Sequence, residues 1–506
     1  MTETTPSSSK GRAPTPALEP VAPAVVKSTA WMAGLRLALR LIGVINTLVL
    51  ARLLVPEDFG LVAVGVAVMH LLQNVSDIGV AQAVVRFRHA DRRHLDTLFT
   101  LSLIRGGVVA GLLLVVASFA GNSFGDDRVQ GIFVALAGLA FIQALHNPRF
   151  YEFERDQDFS KEFLVSIIEK GVAVIVSIAV AVHTRSYWAI VLGLGAGFVA
   201  KSLLMYGLKP YRPRVSLARL GEMWGFTGWV TGVSVVVALN NKLDPLLLGR
   251  FLGLAPAGLY QVGGQLSAMP SMEVAAPVAR ALYPSLSRLD TDPIRMREAY
   301  LSGAMVLAGI ALPAGVGAAF AASDGVRLFL GPQWLEIIPL IQVLAPVYGL
   351  MAVFFATQSF ALALGRPRTV FVRDCIALTI GKPILIWAAL THGLMGAAYA
   401  AAFHGLLYTG LQAWLYYRLT ARSPVEPLWR ARRSFLSVIV MSLSLFGWVT
   451  VVLPTFGPAP LVSLFSIILV GGGAYALSHG ILWYAEGRPM GVERLVLNAL
   501  PIKGVA

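Results

Sequence analysis

Cysteine is all but missing: Cys375 stands alone, so no intramolecular disulfide can form and a zinc site of several thiolates is excluded. Charge is sparse, at 13% of residues, and acid is scarcer than base, with 27 Asp and Glu against 41 Lys and Arg. An ordinary soluble domain carries about twice that charged fraction. No Gly-x-x-x-x-Gly-Lys-Ser/Thr phosphate loop is present, which excludes ATP hydrolysis by that route, and there is no Gly-x-Ser-x-Gly elbow. No loop between the apolar runs is long enough for a folded extramembrane catalytic domain. His146, His183, His392 and His404 are scattered, and no two have the i, i+4 spacing of a helical metal site.

What fills the chain instead is apolar. The 506 residues are 56% hydrophobic with a mean hydropathy of +0.71, arranged in recurrent runs of about 20 residues, the length that crosses a bilayer. The pattern predicts an all-α integral membrane protein with about fourteen helices, near 30–54, 59–85, 95–120, 129–147, 162–182, 187–207, 223–248, 256–283, 299–322, 335–363, 369–390, 393–417, 434–453 and 459–485. Residues 1–28, rich in Ser, Thr, Pro and Ala, read as a disordered tail and not as a signal peptide.

The basic residues set an orientation. With the N-terminus in the cytoplasm, 27 Lys and Arg fall on cytoplasmic loops and tails, and five, Arg52, Arg128, Arg185, Arg250 and Arg327, fall outside. This is the positive-inside bias, repeated at every second loop, and it predicts cytoplasmic N- and C-termini. Anionic lipid headgroups account for most of the net charge of +14, so no nucleic-acid partner is needed.

An internal repeat is also visible. Arg52/Arg250, Leu54/Leu252, Gly60/Gly258, Leu61/Leu259, Val64/Val262 and Gly65/Gly263 share one offset of 198. That offset spans six predicted helices, so the copies have the same orientation and predict two parallel six-helix lobes around a central cavity. The predicted organisation is an N-terminal lobe over 29–207, a basic linker over 208–222, a second lobe over 223–418, two extra helices over 434–485 and a cytoplasmic tail over 486–506. The oddest residues are Arg36 and Arg40, two charges within the first apolar segment. Such charges cost about 2.5–3.5 kcal/mol at a helix centre and usually face a wet interior. With Gly43 and Thr47 they share one helical face.

The segment Leu50-Ala-Arg-Leu-Leu-Val-Pro-Glu-Asp-Phe-Gly60, followed by Ser76-Asp-Ile-Gly-Val-Ala-Gln-Ala83, resembles the opening of the Wzx-type polysaccharide and O-antigen flippases. That family belongs to the superfamily that also holds lipid II flippases and MATE drug exporters. Asp244-Pro-Leu-Leu-Leu-Gly-Arg-Phe-Leu-Gly253, Ala363-Leu-Gly-Arg-Pro-Arg368 and Gly393-Leu-Met-Gly-Ala-Ala398 fit the same family. The resemblance covers roughly residues 30–420. It implies alternating access and a substrate of polyprenyl-pyrophosphate-linked oligosaccharide, moved across the bacterial plasma (inner) membrane for polysaccharide biosynthesis. Glycan polymerase or export proteins are the expected partners, and a monomer is expected.

For such a substrate Arg36 and Arg40 are the candidate pyrophosphate or acidic-sugar ligands, because arginine stays charged and grips phosphate with two parallel hydrogen bonds. The alternative for both is snorkelling to headgroups. Thr231, Ser234 and Asn241 share a face of the seventh helix and can hydrogen-bond sugar or simply pack between helices. Asp244 is expected to form a structural or gating pair with Lys242 or Arg250. Glu273 and Arg280 lie seven apart on the eighth helix and either pair through a neighbour or line the cavity. Glu273 is the best candidate for coupling to H+ or Na+, and no other cofactor is expected. Asp77 either counters an arginine of the first helix or joins an inter-helix cluster with His70 and Asn74. The competing functional class is a MATE-like cation-coupled multidrug exporter, which calls for acidic residues where Arg36 and Arg40 stand. A membrane-bound polymerase or glycosyltransferase is disfavoured by the short loops. No enzyme activity is expected.

Overall fold

The computed structural model describes residues 39–76, 92–156, 158–218, 220–287 and 292–487. Among the described residues there is no β-strand. The chain runs through α1 (39–53), α2 (Pro56–Val75), α3 (Arg92–Phe124), α4 (Arg128–Ala144), α5 (Phe159–Thr184), α6 (Trp188–Leu208), α7 (Leu220–Phe251) and α8 (Leu254–Ser287). It continues with α9 (Pro293–Gly325), α10 (Ile337–Val353), α11 (Pro367–Thr420), α12 (Arg432–Gly447) and α13 (Pro460–Ala485). Nine helices among the described residues are long and apolar enough to cross a membrane, or ten when α4 is joined to Pro148–Arg155, which continues it after a bend of 59°.

Local chemistry explains where these helices start and break. Pro56 opens α2 without losing a hydrogen bond, and the Asp58 carboxylate accepts from the Val55 N–H (3.3 Å), covering one orphan donor of the first turn. α11 has 54 residues, about 81 Å of helix if straight, well over twice the apolar thickness of a bilayer. It folds back at Gly393 (φ 61°, ψ −143°), a conformation that only glycine adopts without strain. Two spans expected from the sequence, 369–390 and 393–417, are the two arms of this one hairpin.

Between helices in lipid there is little hydrophobic drive, so close packing has to hold the bundle together. One cluster joins α2, α3, α4 and α6 through Leu61, Val64, Leu113, Ile132, Phe133, Leu136 and Val191. A second joins α1 to α8, α9 and α10 through Ala51, Leu259, Val326, Trp334 and Ile341. The tightest crossing is α2 against α8. A Cβ on Gly60 would come within 1.8 Å of the Leu254 carbonyl oxygen, and one on Gly258 within 1.9 Å of the Pro56 oxygen. The two glycines aligned by the 198 offset therefore face each other, and the backbones meet because neither has a side chain.

The last two helices pack on each other and on α9. Tyr475 donates to the Gly309 carbonyl (2.8 Å), and Ser463 donates to Asp324. The short helix Glu426–Arg430 leads into them and is fixed by Arg297 and by Tyr416, whose hydroxyl donates to Glu426 (2.6 Å). The Arg297 guanidinium holds the Glu426 carboxyl below the usual carboxylate range. Protonation at acid pH therefore loosens this anchor, and neutral pH leaves it intact.

Candidate functional site

α1 is gripped from both sides. On one side, Ser177 of α5 donates to the Asn46 side chain (2.9 Å), and Lys170 of α5 donates from Nζ to the Leu39 carbonyl (3.1 Å). On the other, the Arg40 guanidinium forms an ion pair with Glu273 of α8. Both partners remain about one third exposed, at 35% and 33%, so solvent or a ligand can reach them. Arg40 and Glu273 come together although they lie 233 residues apart in sequence. Thr47 turns back onto the Gly43 carbonyl of its own helix (3.1 Å).

A second set of groups lines a cavity of about 190 Å³ between α7, α8, α10 and α11. Asp244, expected to pair with Lys242 or Arg250, pairs with Lys382 of α11 instead. Lys382 also donates to the Asn240 carbonyl (2.8 Å), and the Tyr260 hydroxyl donates to Asp244 (3.2 Å). Lys382 is buried at 8% exposure, and burying an ammonium so deeply requires a carboxylate close by. That expectation failed because it considered only neighbours in sequence, whereas α11 delivers its lysine from 138 residues away. An intramembrane lysine with no acid on its own face was the available signal. Asn241 lies on the wall of this cavity, while its neighbour Asn240 ties α7 to the Asp374 carbonyl of α11 (2.9 Å).

Arg36 and Asp77 lie outside the described residues. Thr231 and Ser234 on α7 and Arg280 on α8 are placed by their backbones only.

The end of the bundle that carries Arg52 and Arg128 has its own cluster, which sequence reasoning missed. Arg52 donates from Nε to the Phe329 carbonyl (2.9 Å) and from its terminal nitrogen to that of Leu328. Gln333 (2.9 Å) and the Trp334 indole (2.7 Å) donate to the Ala51 carbonyl. These bonds clasp the end of α1 to the turn between α9 and α10, beside the Gly60–Gly258 crossing.

The nine or ten helices that, among the described residues, are long and apolar enough to cross a membrane define a multi-pass membrane protein. The fold is similar to that of the lipid II flippase MurJ in an inward closed conformation, with a TM-score of 0.69 at 14% identity over 91% of this chain and 99% of that one. It is also similar to an inward-facing multidrug resistance MATE family transporter of the MOP superfamily, with a TM-score of 0.63 at 14% identity over 77% and 98%. In sequence, residues 49–339 match the family described as polysaccharide biosynthesis protein, and the chain belongs to that family. One relative is the lipopolysaccharide biosynthesis protein WzxC of Escherichia coli (strain K12), 25% identical over 73% of this chain and 76% of WzxC.

Proposed function

We propose that this protein is a flippase that carries a polyprenyl-pyrophosphate-linked oligosaccharide across the bacterial plasma membrane by alternating access, for cell-surface or exopolysaccharide biosynthesis. The observation that carries this reading is the partly exposed Arg40–Glu273 ion pair between α1 and α8, an arginine held inside an apolar bundle where an anion can reach it. A pyrophosphate brings negative charge that must cross the bilayer, and a guanidinium bound to a displaceable carboxylate is suited to receive it. Membership of the polysaccharide biosynthesis family and the likeness to a lipid II flippase support the same substrate class. The drug-exporter reading calls for an acidic residue where Arg40 stands.

In this account residues 29–207 and 223–418 form two lobes, the basic loops and both termini face the cytoplasm, and the clasp at Arg52 with the Gly60–Gly258 crossing closes the outer end. Arg36, Arg40 and Arg280 supply cations to the substrate, and Thr231, Ser234 and Asn241 supply polar contacts. Glu273, released when pyrophosphate takes Arg40, accepts a proton and so couples transport to the proton gradient, with Asp244 and Asp77 as further coupling or gating carboxylates. The released glycan passes to a polymerase or export partner.

Titration of purified protein with inorganic pyrophosphate tests the assignment. The parent is expected to bind, and Arg40→Ala to bind at least ten-fold more weakly, a loss of about 1.4 kcal/mol. Equal binding would remove Arg40 from the site, and binding of a lipophilic cation in place of pyrophosphate would favour the exporter.

A further inference from the structure

The pairing of Asp244 with Lys382 leaves Lys242 without the carboxylate expected for it. Among the described residues Lys242 has no hydrogen bond and no ion pair. Its counterparts in other spans differ. Arg40 pairs with Glu273, Lys201 with Glu169 (3.0 Å) and Arg373 with Asp374 (2.7 Å), and Lys170 donates to a carbonyl. A partly buried ammonium with no acid beside it costs stability, and an ionisable residue inside a membrane usually has a task. Helix geometry sets its direction. Lys242 lies two residues from both Asn240 and Asp244, about 200° around α7, so it points away from the cavity that those two line. It shares a stripe with Leu246 and Gly249, four and seven residues on. Leu246 packs on the cluster that holds Leu61 and Val64 of α2, and a Cβ on Gly249 would come within 2.6 Å of the Val64 side chain. Lys242 therefore turns toward α2, across the seam between the two proposed lobes. His70 of α2 lies within electrostatic reach of its ammonium. The His70 ring likewise has no hydrogen bond among the described residues.

We propose that Lys242 and His70 form an anion site between the lobes, which takes a phosphate-type oxyanion of the substrate being moved. The inference rests on the flippase reading for the source of the anion, and it adds a contact from the second lobe to the one at Arg40. Lysine binds phosphate as a compact point charge, and an imidazole N–H donates to the same oxygens. Lys242 and a charged His70 repel each other while the site is empty, and an anion removes that repulsion. One group comes from each lobe, so a bound anion draws α2 and α7 together. Position supports the assignment. By the 198 offset Lys242 corresponds to Val44, one helical turn from Arg40. Arg40 and Lys242 thus sit at similar depths, each on the first helix of its proposed lobe. The carboxylate of an acidic sugar offers the same chemistry as a phosphate, and the test separates the two sources.

The test is thermal melting of the full-length protein in detergent, with inorganic pyrophosphate and D-glucuronate as probes. Without a probe, Lys242→Met is expected to melt above the parent, because an unpaired ammonium has gone. Pyrophosphate is expected to stabilise the parent at concentrations about ten-fold below those of glucuronate. Lys242→Met is expected to need about ten-fold more pyrophosphate than the parent, and His70→Gln about three-fold more. Lys242→Arg keeps the charge and should stay within about three-fold of the parent. Glucuronate acting at the lower concentration, and failing in Lys242→Met, would keep the site and give it to a sugar carboxylate. Stabilisation by pyrophosphate that survives Lys242→Met but not Arg40→Ala would overturn the inference and leave the flippase reading standing. A probe-free Lys242→Met that melts below the parent would also overturn it, since the ammonium would then have a structural role. So would a parent that neither probe stabilises. Stabilisation through Lys242 in a protein that moves no lipid-linked glycan in liposomes would strike at the flippase reading alone.

Discussion

Gly258→Leu is expected to abolish glycan export while leaving a folded protein. At this position even a Cβ falls 1.9 Å from the Pro56 carbonyl oxygen and 2.8 Å from the Gly60 nitrogen, far inside the contact distance of about 3.5 Å. Both obstacles are backbone atoms, so no rotamer change relieves the clash and α2 must part from α8. The proposed alternating access has that contact form in one state and break in the other, so a side chain here would remove the closed state. Gly258→Ala is expected to cut export strongly, and Gly60→Ala to do the same by pressing on the Leu254 oxygen. Gly264→Ala, lying on the same helix with open space around it, is the control and should export normally. Export by complementation of a flippase-deficient strain and thermal melting in detergent together separate a blocked cycle from an unfolded chain. Full export by Gly258→Leu would mean that the crossing is not part of the cycle.

The second large effect concerns the buried pair in the second cavity. Asp244→Asn leaves the Lys382 ammonium without its carboxylate, and breaking such a pair costs about 3–5 kcal/mol. The melting temperature should fall by several degrees. Removing both charges, Asp244→Leu with Lys382→Met, should recover most of that loss, because the desolvation penalty of both ions disappears with them. If the pair is only structural, the double variant exports normally. If it also gates transport, the double variant is stable and inactive. A double variant no more stable than Asp244→Asn would contradict the pairing itself.

The fold was legible in the sequence to the extent that single segments decide it. Apolar length foretold helices where α2 to α13 run, nine of which, among the described residues, are long and apolar enough to cross a membrane, and the charge of Arg40 within the first apolar segment marked it as a candidate ligand. The 198 offset singled out Gly60 and Gly258, although nothing in the sequence said that they touch. What stayed hidden was every pairing between distant segments: Arg40 with Glu273, Asp244 with Lys382, Arg52 with the carbonyls at 327–329. A helix pattern gives the face on which a residue lies but not the helix that face meets, so Arg52 read as a loop cation and Asp244 was matched to its neighbours. The fold-back at Gly393 was legible only as a boundary between two apolar runs.

The most direct test is transport itself. The protein is reconstituted into liposomes containing polyprenyl-pyrophosphate-linked oligosaccharide, and a glycan-cleaving enzyme added outside reads how fast inner-leaflet substrate becomes accessible. Parent protein is expected to expose it well above the rate of empty liposomes, and Arg40→Ala to bring the rate close to that background. Exposure no faster than in empty liposomes with folded parent protein, or equal rates for parent and Arg40→Ala, would contradict the account.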